Sequence, residues 1–147
     1  MSYELKKYLV NNMNRYKNSS DETKNEVIEV GDMGYLAELY YSEKRNTSLM
    51  PNNFPGYDLA DKTEIKSATT NFTNTGSVIN INGLGTKDLA DLIIIIYNDL
   101  VNKVIAEVTV TPDDIKKVDG TMPTKININK SAFRKQFANK TKILATY

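Results

Sequence analysis

Three acids and two lysines stand close together in Phe54-Pro55-Gly56-Tyr57-Asp58-Leu59-Ala60-Asp61-Lys62-Thr63-Glu64-Ile65-Lys66-Ser67-Ala68, and Asp58, Glu64 and Lys66 are the three whose spacing suits chemistry. Asp58, Glu64 and Lys66 are the residue types that hold a hard divalent cation and orient a water molecule for attack. Asp58 and Glu64 supply carboxylate oxygens, and the backbone carbonyl of Ile65, between Glu64 and Lys66, supplies another. Mg²⁺ fits such a set because it keeps several waters that phosphate oxygens displace. The chain has no histidine and no cysteine, so imidazole and thiolate catalysis are excluded, as are Zn sites built on those ligands.

For these side chains to converge, the stretch must fold as a hairpin of particular register. Directly opposed residues of antiparallel strands share a face, and side chains alternate along each strand. A two-residue turn at Asp61-Lys62 would put Asp58 on the face opposite Glu64 and Lys66. The chemistry therefore requires an odd loop, for example Asp61 to Thr63, or a bulge.

The surrounding elements follow from periodicity. A first helix is expected over about Tyr3 to Tyr16, with Leu5, Tyr8, Leu9 and Met13 at helical spacing, and Asn18-Ser19-Ser20-Asp21 ends it and caps the next. A second helical region runs from about Glu22 to Lys44, broken near Gly31 and Gly34, with Met33, Leu36, Ala37, Tyr40 and Tyr41 on one face. Strands are expected near Ser48 to Met50, at Ser77 to Ile81, at Leu92 to Tyr97 and at Val104 to Val110. The run Leu92-Ile93-Ile94-Ile95-Ile96-Tyr97 has no polar alternation and reads as a central strand buried on both faces. A hairpin turn belongs at Asn98-Asp99 or just after. Thr111-Pro112-Asp113-Asp114 is a helix start, with threonine as cap and proline at the first helical position. A helix around Ser131 to Phe137 and an edge strand from Thr141 to Tyr147 complete the chain. The order of helices and strands gives an α/β (α+β) class: a mixed central sheet flanked by helices in one domain, 1–147. Its parts are a helical portion (1–45), the catalytic sheet core (47–110) and a basic portion (111–147).

With this order in place, the chain resembles the PD-(D/E)xK nuclease superfamily, whose members include type II restriction endonucleases. The resemblance covers Gly34 to about Tyr97 and rests on Phe54-Pro55-Gly56-Tyr57-Asp58-Leu59 followed by Glu64-Ile65-Lys66-Ser67-Ala68. The family's aspartate falls on Asp58 and its Glu-x-Lys on Glu64, Ile65 and Lys66. Gly34-Tyr35-Leu36-Ala37-Glu38-Leu39-Tyr40 resembles the family's N-terminal helix, in which an acidic residue often joins the site, and this points to Glu38. On a helical wheel Glu38 lies roughly 120–140° from the centre of the apolar face, which leaves a solvent-exposed glutamate and a site partner both open. Two departures are visible: Gly56-Tyr57 replaces the proline directly before the aspartate, and only five residues separate Asp58 from Glu64.

The resemblance implies a restriction-endonuclease-like sheet, Mg²⁺ as cofactor and double-stranded DNA as substrate. A homodimer is expected because cutting both strands of a symmetric site needs two active sites related by a two-fold axis. A homing, junction-resolving or repair nuclease, or a non-catalytic nucleic-acid-binding domain of the same fold, are the alternatives. For DNA contacts, Asn80 and Asn82 alternate with isoleucines in one strand and Asn127 and Asn129 in another, and asparagine can pair with adenine edges. Thr69 and Asn71 follow the catalytic strand. Lys130 and Arg134, with Lys135, Lys140 and Lys142, suit phosphates, as does Lys87 in a Gly-containing loop. Charge is uneven despite a net of +1: eight basic residues and one acidic lie between Lys116 and Lys142.

No apolar run approaches the roughly 20 residues of a membrane span, and Met1 to Lys7 lacks the hydrophobic region of a signal peptide. Together with the missing cysteines, this gives a cytoplasmic location as the expectation and no membrane partner.

Overall fold

The computed structural model describes residues 3–52, 54, 56–71, 78–80, 90–123, 125–127 and 135–147. Three helices come first: α1 (Tyr3–Asn11), α2 (Asp21–Val30) and α3 (Met33–Lys44). The strands are β1 (Thr63–Thr70), β2 (Val78–Asn80), β3 (Leu92–Asp99), β4 (Val104–Val110), β5 (Lys125–Asn127) and β6 (Thr141–Thr146), with a short α4 (Pro112–Ile115) after β4. A four-stranded mixed sheet has the order β1-β3-β4-β6, and β2 pairs with β5 in a separate two-stranded sheet. In the larger sheet β1 and β3 are parallel and the other pairs antiparallel. This is the mixed sheet with flanking helices expected from the sequence.

β3 is the centre of the sheet because its isoleucines bury two faces. Ile94 and Ile96 pack with Leu5, Leu9, Leu36, Tyr40, Tyr41 and Ile65 under the N-terminal helices. Ile93 and Ile95 pack on the other side with Ala90, Val108, Val110, Ile126 and Phe137. Each fully buried isoleucine contributes about 2 kcal/mol, and a strand without polar positions can sit only where both sides are covered.

The first helix is shorter than its periodicity predicts. It ends at Asn11, and a 3₁₀ turn over Asn14–Tyr16 follows an extended Met13. Two causes are visible. The Asn12 amide donates to the Tyr8 carbonyl at 2.8 Å, competing with the backbone. Glu43 of α3 then captures the Asn14 and Arg15 N–H groups at 2.6 and 3.3 Å. Further on, Ser20 caps α2 through the Thr23 N–H, and Asp32 caps α3 through the Tyr35 N–H.

The break between α2 and α3 falls at Gly31, where a Cβ would lie 2.6 Å from the Val27 carbonyl and 2.9 Å from Leu36 Cδ1. Only glycine lets the two helices approach this closely. After β3, Asp99 accepts from the Val101 and Asn102 N–H groups, and the turn comes just past it. Thr111 and Asp114 form the capping box of α4. β6 is the far edge strand, as expected. Of the expected helix around Ser131 to Phe137, residues 131–134 lie outside the described residues; Lys135 and Gln136 are helical.

Candidate active site at the edge of strand β1

The hairpin has an odd loop, shifted by one residue from the expected Asp61 to Thr63. Leu59 bridges Thr63, so the loop is Ala60 to Lys62. It is built as a turn in which the Lys62 N–H donates to the Leu59 carbonyl at 2.9 Å, followed by Lys62 in the left-handed region at φ 67°. A three-residue loop of this form ends in a bulge. That bulge sets Lys62 and Thr63 against Leu59, and a second lies on the other strand, where the Asp58 and Leu59 N–H groups both donate to the Thr63 carbonyl, at 3.0 and 3.1 Å. Asp58 and Leu59 therefore both oppose Thr63, and Asp58 is not set against Lys66.

Outside the hairpin, Leu49 bridges Leu59, which is all that forms of the strand expected at Ser48 to Met50. Beyond Thr63 the hairpin backbone no longer flanks β1. There the Asp58 carboxylate replaces it and accepts from the Ile65 N–H at 2.8 Å. A strand residue directs its N–H and C=O to the same edge, so the Ile65 carbonyl lies on the edge that Asp58 occupies.

Glu64 follows on β1, 5% exposed, and its carboxyl hydrogen-bonds that of Asp58. Burial, the hydrogen bond that its protonated carboxyl donates to Asp58, and repulsion from Asp58 and Glu38 push Glu64 well above the usual carboxylate range, against the opposing pull of Lys66. Lys66 lies two residues on, on the same face of β1. Glu38 is half-buried on α3, the helix packed on β1. Burial first, then the charges of Asp58 and Asp32, raise it from 4.5 to about 7, with Lys66 again opposing. Glu38 thus belongs to the cluster, and the solvent-exposed alternative for it falls away. Three carboxyls and one ammonium converge at the free edge of β1.

This donor set suits Mg²⁺. It is all oxygen, its carboxyls are too crowded to ionise together against Lys66 alone, and a divalent charge would relieve that repulsion. Asp58, Glu64 and the Ile65 carbonyl would hold the ion. No cage of three or more metal-ligating side chains exists among the described residues. Mg²⁺ typically takes one or two carboxylates and completes its shell with water and phosphate.

The predicted DNA contacts fare unevenly. The Thr69 hydroxyl oxygen is enclosed and has no hydrogen-bond partner, so in this conformation it is not offered to a ligand. Asn71 is exposed just past β1. The strands carrying Asn80 and Asn127 pair with each other, Asn80 beside Lys125 and Val78 beside Asn127. Ile126 anchors this small sheet in the second core. Asn82, Lys87, Asn129, Lys130 and Arg134 lie outside the described residues. Lys140 is bound to Asp114 at 2.6 Å, and Lys142 stands on β6, three strands from the carboxylates. At about 4.8 Å per strand, Lys142 stands roughly 14 Å from β1.

Sequence reading missed the supports. Arg45, just past α3, binds Asp61 of the loop at 2.8 Å, and Thr63 donates to the same carboxylate at 2.6 Å. These bonds outweigh burial and hold Asp61 below the usual carboxylate range. The Arg45–Asp61 pair is remote in sequence and leaves no local pattern. Asp32 had a signal, being an acidic residue three before Tyr35 at a helix start. Compared with protein-family models, curated proteins and solved structures, the chain matches none.

Proposed function

We propose that this protein is a Mg²⁺-dependent endodeoxyribonuclease that hydrolyses phosphodiester bonds in double-stranded DNA, of the restriction-endonuclease type, acting as a homodimer. The observation that carries the reading is the meeting of Asp58, Glu64, Lys66 and Glu38 at one strand edge. Sites where burial and like charge push carboxyls above their ordinary range are characteristic of catalysis. The resemblance of the hairpin to the PD-(D/E)xK superfamily supports the same reaction class.

In this reading the chain supplies orientation and charge. Asp58 is fixed by the Ile65 N–H and Glu64 by Asp58 and its enclosure, so neither must reorganise when substrate arrives. Lys66 orients the attacking water and offsets negative charge as it builds on the phosphate oxygens. Glu38 completes the acidic wall and, close to neutral pH in its titration, is suited to hold a water proton. Bound Mg²⁺ would acidify water and neutralise the scissile phosphate. Water adds to phosphorus, the bond to the leaving sugar oxygen breaks, and the products are a phosphate monoester and a hydroxyl.

Plasmid incubated with the protein in Mg²⁺ and in EDTA tests this directly. Cleavage is expected only with Mg²⁺, and its absence under every Mg²⁺ condition would refute the enzyme reading in favour of a binding domain. Discrete fragments would mark a sequence-specific enzyme of restriction or homing type, and a smear a non-specific one.

A further inference from the structure

Lys62 is an unexpected residue for its position. The last residue of the hairpin loop has φ 67°, a conformation that favours glycine or asparagine. Its backbone is nonetheless firmly mounted: the carbonyl accepts from the Asp91 N–H at 2.8 Å, and neighbouring Asp61 is tied to Arg45 and Thr63.

The side chain is mounted differently. Its Nζ lies 3.8 Å from Asp91 Oδ1, in a pair whose side chains are 46% and 72% exposed. Pairs this exposed contribute little and give way to a better anion. The same Nζ is 5.9 Å from the centre of the Tyr57 ring, within cation–π range. Tyr57 immediately precedes Asp58, stacks at 4.8 Å on Phe54 and packs on the second core. That core also takes Ala68, which shares a face of β1 with Glu64 and Lys66. The ammonium of Lys62 is therefore a replaceable-partner cation, held over an aromatic ring next to the catalytic aspartate.

We propose that Lys62 is a substrate-positioning residue: its ammonium exchanges Asp91 for a DNA backbone phosphate neighbouring the scissile one, with Tyr57 as the platform that aims it. This rests on the nuclease reading of the Asp58 site. It adds a binding contact outside the carboxylate cluster, one that acts on substrate affinity rather than on bond breaking.

The test compares wild type with Lys62→Gly, which preserves the positive φ, with Lys62→Arg, which preserves the charge, and with Asp91→Asn. A short mixed-sequence DNA duplex is the probe. Lys62→Gly is expected to raise KM about 5- to 10-fold with kcat within about twofold, and to flatten the salt dependence of binding by about one phosphate contact. Lys62→Arg should restore wild-type KM, and Asp91→Asn should lower KM in wild type but not in Lys62→Gly. Unchanged KM and salt dependence in Lys62→Gly, a fall in kcat alone, or an Asp91→Asn effect equal in both backgrounds would overturn the assignment. Fluorescence anisotropy with the same duplex in EDTA separates the two claims. Equal affinity of wild type and Lys62→Gly overturns the role of Lys62, whereas absent cleavage with weakened binding in Lys62→Gly overturns only the nuclease reading.

Discussion

Replacing Glu64 by glutamine should stabilise the metal-free protein while destroying its metal response. Glu64 is enclosed against Asp58 and Glu38, and its folded-state pKa is raised above the unfolded value. For such a group the folded state binds more protons than the unfolded chain across the window between the two pKa values. Stability is therefore full below the unfolded value and falls as pH rises through the window. Glu38 gives the scale. Its rise from 4.5 to about 7 corresponds to about 3 kcal/mol at about 1.4 kcal/mol per unit. Half-burial and solvent screening reduce this to about 1–2 kcal/mol.

Glu64 is more enclosed, so its neutralisation should return about 2 kcal/mol near pH 8 in EDTA. For a domain of this size that is an increase in Tm of roughly 4–8 °C. The assay is thermal unfolding followed by circular dichroism from pH 5 to 9, with EDTA and with Mg²⁺. Wild type should lose stability as pH rises in EDTA and regain it with Mg²⁺, and Glu64→Gln should show a flatter profile and little response to the ion. A Glu64→Gln protein that is less stable than wild type at pH 8 in EDTA would refute the crowded-carboxyl account.

Other consequences concern the frame around the site. Tyr41→Phe removes the buried hydroxyl that donates to Glu107 at 2.5 Å, leaving that carboxylate without this donor, and should cost about 1–3 kcal/mol in urea unfolding. Gly31→Ala puts a methyl 2.6 Å from the Val27 carbonyl and should destabilise by about 1–3 kcal/mol, again read from the urea midpoint. Arg45→Ala frees Asp61 and should cost less than about 1 kcal/mol of stability, since both partners are about one-third exposed. Its larger effect should be on cleavage rate, because the loop that sets the Asp58 register loses its tether.

The local logic of this chain is legible in its residues. The unbroken isoleucines of β3 announce a strand covered on two sides, the glycine at 31 a helix break, and Thr111-Pro112 a helix start. The demand that Asp58 and Glu64 share a face is enough to require an odd loop. What periodicity does not carry is distance between elements. The wheel position of Glu38 left two environments open because a wheel describes one helix, whereas its burial depends on how closely α3 approaches β1. The pairing of β2 with β5 joins segments far apart in the chain, and the Arg45–Asp61 tether spans sixteen residues. The loop lies one residue from its expected place because the demand that Asp58 and Glu64 share a face fixes an odd loop length and not its position.

The most direct measurement is single-turnover cleavage of duplex DNA in Mg²⁺ by wild type, Asp58→Asn and Lys66→Met. Removal of a positioned carboxylate or of the charge that orients the attacking water should slow the chemical step by about 10²–10⁴-fold. Binding of the same duplex should stay within a few-fold of wild type. Cleavage by Asp58→Asn at a rate close to wild type would contradict the account, because Asp58 is the carboxylate fixed by the Ile65 N–H and set against Glu64 at the place assigned to the metal.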